Sequence, residues 1–342
     1  MAAVELRPRE SDVARATEAV VPAWPGRRHV LELDDFSPAE IVQVLDTAVA
    51  MKEVLSRPIK KVPALRGKTI VTMFYEPSTR TRVSVEVAAK VLGADAVNVT
   101  ASGSSVTKGE SLLDTLRTLQ AIGADIVVMR HPQSGAPWVV ASRLDSAVIN
   151  GGDGWHAHPT QGLLDVFTIR ERLGRVAGVR VTIVGDVLHS RVARSALWGL
   201  TKLGAQVTLC APPTLMPRDW LLDPCGLPWP VRIAERIDDA LGDADIVMAL
   251  RLQHERQHGG LIPSIREYSR LYGLTSDRLK LARPGALVMH PGPMNEGVEI
   301  APDVAHGIQS VIKEQVTNGV AVRMALLYLL SGGGAAPFED ED

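Results

Sequence analysis

Cysteine is scarce in this chain: Cys210 and Cys225 are the only two among 342 residues. Two thiols cannot build a cysteine-rich zinc site, and with no sign of export the expected setting is a reducing cytoplasm. A basic surplus is also missing. Lys and Arg number 37 against 39 Asp and Glu, a net charge of −2 spread along the sequence. Neither a nucleic-acid backbone nor an anionic membrane is therefore the expected partner. No apolar run approaches the ~18 residues of a membrane-spanning helix. The stretch Met1–Gly26 carries mixed charges in place of an apolar signal core. What is present is ordinary globular material, 46% hydrophobic and 22% charged, in a length that at roughly 150 residues per domain suggests two domains.

One rhythm recurs between a frayed extension over 1–26 and an acidic tail over 332–342. A short β-branched apolar run gives way to a polar turn, a helical stretch and a glycine. Strands are expected at Thr69–Tyr75, Ala96–Thr100, Asp125–Met129, Ala147–Ile149, Val181–Val184, Gln206–Cys210, Ile246–Leu250 and Ala286–Met289. Helices are expected at Arg80–Leu92, Leu112–Ile122, Thr160–Leu173, Arg191–Leu203 and Gly319–Leu330, with Val83, Val87 and Val91 lining one face of the first. Short strands apolar on both faces and separated by helices imply parallel sheets covered on both sides. The fold class is therefore α/β, two doubly wound parallel-sheet domains joined by helices. Their expected limits are 27–159, completed by the C-terminal helix over 319–331, and 160–318. In such sheets the functional loops lie at the carboxyl ends of the strands.

Arginines gather at those ends. Glu76-Pro77-Ser78-Thr79-Arg80-Thr81-Arg82 stands where a strand gives way to a helix, so free N–H groups and the helix dipole favour an anion. Arginines in a first helical turn oppose that dipole, which an anion site explains and a simple Ser78 cap does not. Arg130-His131-Pro132 ends another strand, Arg191 opens a helix after Gly185-Asp186, and Arg251-Leu252-Gln253 follows a fourth strand. Ser105 and Lys108 lie in a run of small polar residues that reads either as a surface loop or as a lid over an anionic ligand. His158-Pro159-Thr160-Gln161 opens a helix, where His158 can polarise a carbonyl and Gln161, one turn on, can bond to an amide nitrogen. The two prolines of His290-Pro291-Gly292-Pro293 leave carbonyls without matching donors, suited to accept from a ligand amine. Asp153, His156 and His158 alternate as metal ligands would, but without a defined third ligand, and no metal is expected. The turn at Gly185 lacks the G-x-G-x-x-G spacing of a dinucleotide site, which disfavours an oxidoreductase.

Ser78-Thr79-Arg80-Thr81-Arg82, Arg130-His131-Pro132 and His158-Pro159-Thr160-Gln161 together resemble, in order and spacing, the carbamoyl-phosphate signature of the aspartate/ornithine transcarbamylase family. The likeness runs from about Val30 to Leu330. Lys108-Gly109-Glu110, Arg251-Leu252-Gln253 and His290-Pro291-Gly292-Pro293 are similar to the aspartate-type branch, whereas the ornithine type carries a His-Cys-Leu-Pro motif at the last of these. Glu296 departs from the pattern, standing where related chains often have arginine. The resemblance implies a transferase of the cytoplasm, acting in pyrimidine biosynthesis without metal or organic cofactor. It also implies a homotrimer whose neighbouring subunit donates Ser105 and Lys108. Ser78, Thr79, Arg80, Thr81, Ser105, Arg130, His158, Gln161, Gly292 and Pro293 would hold carbamoyl phosphate, with Arg80, Thr81, Arg130 and His158 facing the developing charge. Lys108, Arg191, Arg251 and Gln253 would hold L-aspartate, and Glu76 would pair with Arg191 and Arg256 on domain closure. A regulatory chain or a dihydroorotase is a candidate partner. An ornithine-type activity and a catalytically silent regulatory homologue remain the alternatives.

Overall fold

A computed structural model describes residues 24, 26–100, 111–222, 230–253 and 260–332. The chain begins its regular structure with a helix, α1 (Pro38–Ser56), whose start is written in Ser37-Pro38-Ala39-Glu40. The Ser37 side chain accepts from the Glu40 N–H, the Glu40 carboxylate accepts from the Ser37 N–H, and Pro38 occupies the first helical position. This helix is absent from the sequence-based expectation although its capping signal is plain.

The first series then runs β1 (Thr69–Phe74), α2 (Thr79–Val91), β2 (Asp95–Thr100), α3 (Leu112–Ala121), β3 (Ile126–His131), α4 (Ala136–Ala141), β4 (Ala147–Asp153) and α5 (Pro159–Leu173). The second runs β5 (Arg180–Val184), α6 (Arg191–Lys202), β6 (Gln206–Cys210), α7 (Arg218–Leu222), β7 (Val231–Ala234), α8 (Ile237–Leu241), β8 (Ile246–Ala249), α9 (Ile265–Tyr272), α10 (Ser276–Leu279), β9 (Leu287–Met289) and α11 (Pro302–Ala305). The last helix, α12 (Ile312–Leu330), starts seven residues before the expected Gly319 and packs against α1, α2 and α5. The strands form two sheets, ordered β2-β1-β3-β4 and β7-β6-β5-β8-β9, and every pairing is parallel. The expected α/β class with two parallel sheets is what the chain adopts.

In each sheet the chain moves outward from a central strand, returns, and continues on the other side. The order reverses between β1 and β3 in one sheet and between β5 and β8 in the other. Adjacent loops diverge at such a point and leave a crevice beyond the strand ends, where open α/β sheets bind ligands. β7 escapes a periodicity reading because it is a short edge strand with Arg232 exposed. The valines of α2 do not mark its buried side: Val83 and Val87 are 45% and 39% exposed, while Thr81, Ser84, Val85, Ala88, Ala89 and Val91 face inward. Small residues let α2 approach α12 closely, a packing that the four-residue valine spacing does not reveal. Cys210 is buried, and burial pushes its thiol up to about 12; Cys225, the extension over 1–23 and the tail over 333–342 lie outside the described residues.

One apolar cluster runs through α5, α6 and α12 and joins the two series, with Leu163, Phe167, Leu197 and Leu326 all fully or almost fully buried. Glycines set the closest approach of α5 to α6. A Cβ on Gly162 would fall 2.9 Å from the Ser195 carbonyl oxygen, and one on Gly199 would fall 3.0 Å from Val166 Cγ2. Overpacking of this kind costs about 1–3 kcal/mol. Gly162→Ala is therefore expected to lower unfolding stability by about that amount in a denaturant titration, whereas Gly242→Ala, with no atom within 4 Å of the new methyl, leaves it nearly unchanged. Equal midpoints for the two variants would contradict the close-packing account.

Candidate active site

The two reversal points face a shared cavity of about 890 Å³. From the first sheet come the β1–α2 turn and the end of β3. From the second come the start of α6 and the end of β8. Every predicted site residue that is described lines this space: Glu76, Ser78, Thr79, Arg80, Thr81, Arg130, His158, Gln161, Arg191, Arg251, Gln253, Gly292 and Pro293. Ser105, Lys108 and Arg256 lie outside the described residues.

Ser78 occupies the N-cap of α2 in an extended conformation, but its hydroxyl caps nothing. Instead Ser78 Oγ accepts from Arg130 Nη1 at 3.2 Å. The first-turn N–H groups of α2 are thus left to an incoming anion. Arg80 follows in that turn and its guanidinium lies against Gly292, where a Cβ would sit 2.4 Å from Arg80 Nη1. Gly292 also has φ +63°, so both backbone and space require glycine here. Partial burial lowers the Arg80 pKa, which nonetheless leaves it a cation at neutral pH.

Glu76 Oε2 accepts from Arg130 Nε at 3.0 Å and from Arg191 Nη2 at 2.9 Å. One carboxylate oxygen therefore ties an arginine from each sheet. Arg191 is buried and its Nη1 also donates to the Gly154 carbonyl at 3.1 Å. Its stem crosses Gly152, which has φ +117° and could not carry a Cβ without approaching the guanidinium to 3.0 Å. Burial, with the charge of Arg130, brings the Arg191 pKa down to about 10, still well above neutrality.

His158 is buried at the N-terminus of α5. Burial and the positive charges of Arg191, Arg130 and Arg323 hold its pKa well below the ordinary value, so the ring is neutral. Arg323 Nη2 donates to Thr160 Oγ1 at 3.3 Å, and Thr160 Oγ1 lies 3.4 Å from His158 Nδ1. The His158 backbone N–H donates to Ser195 Oγ at 2.8 Å, and Ser195 Oγ donates to Glu32 at 3.0 Å. Gln161 Nε2 donates to Asp165.

On the second sheet, Asp186 holds the loops after β5 and β8 together. Its Oδ1 meets His189 Nδ1 at 2.8 Å and its Oδ2 accepts from the Gln253 N–H at 3.3 Å. His290 Nδ1 accepts from the Gly292 N–H at 2.8 Å, so its Nε2 donates to Glu299 Oε1 at 3.1 Å. That pair fixes the turn bearing the Gly292 and Pro293 carbonyls. Glu296 pairs with His306 at 3.1 Å, outside the cavity. No group of three or more His, Cys, Asp or Glu among the described residues could hold a metal. Asp153 instead accepts from the Gly135 and Ala157 N–H groups and from Asn150 Nδ2.

Sequence reasoning missed Arg323 and Gln315 of α12, both lining the cavity, and the buried carboxyls Glu32 and Asp165. Arg323 had a signal: it is the lone charge in Val320-Ala321-Val322-Arg323-Met324-Ala325-Leu326-Leu327, and a charge on a buried face needs a partner or a task. Glu32 had none, because its burial depends on α6 packing over it.

Comparison with known proteins assigns the two series separately. Residues 28–171 match the carbamoyl-P binding domain of aspartate/ornithine carbamoyltransferases, and residues 177–330 match their Asp/Orn binding domain. The chain is 63% identical over 320 residues to the aspartate carbamoyltransferase catalytic subunit of Roseiflexus sp. (strain RS-1), spanning 91% of this chain and 99% of the relative. It is 62% identical over 309 residues to the catalytic subunit of Chloroflexus aurantiacus (strain ATCC 29366 / DSM 635 / J-10-fl), spanning 90% and 99%. Among solved structures, Trypanosoma cruzi aspartate transcarbamoylase with carbamoyl aspartate and phosphate superposes with TM-score 0.82 at 29% identity, covering 91% of this chain and 98% of the other. Pyrococcus furiosus ornithine carbamoyltransferase superposes with TM-score 0.79 at 30% identity, covering 90% and 98%. Overall shape thus fails to separate the two amine types, whereas the sequence relatives named here are of the aspartate type.

Burial raises the Glu32 pKa from 4.5 to about 8. The folded state then holds a proton that the unfolded state releases, so this stabilisation is complete below about 4.5 and is lost as pH rises through about 8. Glu32→Gln keeps a neutral acceptor for Ser195 at every pH. Its Tm difference between pH 6 and pH 9 should be smaller than that of the unaltered chain; an unchanged difference would contradict the assignment.

Proposed function

The chain belongs to the aspartate/ornithine carbamoyltransferase family, and from that premise we propose that it transfers the carbamoyl group of carbamoyl phosphate to the amine of L-aspartate. The products are N-carbamoyl-L-aspartate and phosphate, the committed step toward pyrimidines, and the setting is the cytoplasm. The observation that carries the reading is the charge of the cavity wall. Arg80, Arg130, Arg191, Arg251 and Arg323 line it, and the only carboxylate doing so among the described residues, Glu76, is bonded to two of those arginines. A phosphate and two carboxylates match such a wall. An ornithine ammonium would need an anion that Glu76 is not placed to give.

The first lobe, with α12 completing it, takes carbamoyl phosphate. Ser78, Thr79, Arg80 and Thr81 meet the phosphate at the N-terminus of α2, and Arg130 and His158 reach the carbonyl oxygen. Neutral His158 donates there through its ring N–H. Gln161 and the carbonyls of Gly292 and Pro293 accept from the carbamoyl –NH2. The second lobe takes aspartate through Arg191, Arg251 and Gln253, joined by Lys108. The amine attacks the carbamoyl carbon, a tetrahedral intermediate forms, and the C–O bond to phosphate breaks. Losing one donor to the developing oxyanion costs roughly 2.7–4 kcal/mol, and holding two reactants in line contributes ~7–11 kcal/mol. Neither Glu76, held by two guanidiniums, nor His290, held by Glu299 and Gly292, is free to take the amine proton. The departing phosphate dianion is the base this arrangement leaves. The site is completed in a homotrimer by Ser105 and Lys108 of a neighbouring subunit.

A colorimetric assay for carbamoyl-amino-acid product with aspartate and ornithine as acceptors tests the reading: turnover is expected with aspartate alone, and turnover only with ornithine would contradict it. Arg80→Ala should lower kcat by ~10²–10³ with KM for aspartate changed little, while Arg251→Ala should raise KM for aspartate and leave carbamoyl-phosphate binding nearly intact. Equal weakening of both substrates by Arg251→Ala would contradict the division between lobes. Mixing Lys108→Ala with Arg80→Ala chains should restore part of the activity through one unaltered shared site, and inactive mixed trimers would remove the shared-site arrangement.

A further inference from the structure

Beneath the carbamoyl end of the cavity sits a carboxyl that the reaction does not touch. Asp165 is fully buried in α5, one helical turn after Gln161. Its Oδ1 accepts two amide N–H groups, from Gln161 Nε2 at 2.9 Å and from Gln315 Nε2 at 2.8 Å. Gln315 Oε1 in turn accepts the His290 backbone N–H at 2.9 Å, on the segment that leads to Gly292 and Pro293. The second oxygen, Asp165 Oδ2, is buried without a hydrogen-bond partner.

This geometry fixes how both amides face. An amide side chain can turn its oxygen or its nitrogen toward a given neighbour, and only the surrounding partners decide which. Burial raises the Asp165 pKa to about 7, so both protonation states matter. When ionised, Oδ1 only accepts. When protonated on the unpartnered Oδ2, the carboxyl leaves Oδ1 still accepting. With Oδ1 as acceptor Gln161 spends its nitrogen on Asp165, which leaves Oε1 as the atom available to the cavity that Gln161 lines.

We infer that Asp165 is a positioning residue that locks Gln161 as an acceptor and thereby selects an acyl phosphate bearing –NH2 over one bearing a methyl group. The inference rests on the proposed carbamoyl transfer. Through Gln315 and His290 the same carboxyl steadies the turn that presents the Gly292 and Pro293 carbonyls. Three acceptors then converge on one –NH2. A site built to bond an N–H strongly rejects the analogue lacking it, because its buried acceptors are left unpaired.

The test compares carbamoyl phosphate with acetyl phosphate, each with L-aspartate, in the full chain and two variants. Asp165→Leu removes the acceptor while keeping the same branched heavy-atom skeleton and frees Gln161 to turn. Its preference for carbamoyl over acetyl phosphate, read as the ratio of kcat/KM values, should fall ~10-fold or more. Asp165→Asn can keep an oxygen at the Oδ1 position, its –NH2 taking the unpartnered place, and should retain the preference within ~3-fold. An unchanged ratio in Asp165→Leu, or an equal loss for both acyl phosphates, overturns the positioning role. Should Asp165→Leu fail to fold, side-chain amide exchange in the unaltered chain decides. The Gln161 –NH2 protons, assigned by their absence in Gln161→Met, should be protected from solvent with or without carbamoyl phosphate, and protection appearing only with ligand overturns the lock. Absence of carbamoyl aspartate from the unaltered chain would instead remove the functional reading itself.

Discussion

Five guanidinium groups around one cavity repel each other, and burial makes Arg80, Arg191 and Arg323 more costly to keep charged. Glu76 resolves part of that conflict. It stands on the β1–α2 turn, and through a single oxygen it holds Arg130 of the first sheet and Arg191 of the second. The contact shares one negative charge between two cations and ties the two strand-end edges together, while Arg80 lies against Gly292. Among the described residues no carboxylate other than Glu76 lines the cavity. That is the condition for gathering a phosphate and a dicarboxylate in one place.

The fold supplies the positions. Arg80, at the start of α2, and Arg130, at the end of β3, flank the β1/β3 reversal, and Arg191, at the start of α6, and Arg251, just after β8, flank the β5/β8 reversal. Opposed parallel sheets with the same kind of strand-order switch thus present four arginines toward one crevice. The third contributor is α12, whose Arg323 and Gln315 enter from the other side. Arg323 bonds to Thr160, which lies against His158 Nδ1, and Gln315 joins Asp165 to the His290 turn. The helix that ends the chain is therefore part of the chemistry as well as of the core.

Much of this is legible in the sequence alone. Strand-end arginines can be read from sequence because a parallel α/β rhythm fixes where strand ends lie, and a guanidinium in a first helical turn opposes the dipole unless an anion is bound. What stayed hidden depends on contacts between distant segments. Glu32 and Asp165 look like ordinary surface acids until α6 and α12 cover them. Gln315 belongs to a helical stretch whose start lies ahead of the predicted Gly319. The valine spacing in α2 does not reveal its buried side for a related reason: Thr81, Ser84, Ala88 and Ala89, small enough for close packing, face inward beside Val85 and Val91, with Val83 and Val87 outward. The α1 helix is a different case, since Ser37 and Glu40 spell its cap in sequence.

The account depends on cations from two separate edges acting on one pair of anionic substrates, and a crystal structure with a compound joining a phosphonate to a dicarboxylate tests this most directly. The phosphonate is predicted within hydrogen-bond distance of Arg80 and the α2 N-terminus, and the carboxylates on Arg191 and Arg251, with Glu76 still bonded between the lobes. A compound bound elsewhere, or bound here with Arg80 and Arg251 both turned to solvent, would contradict it.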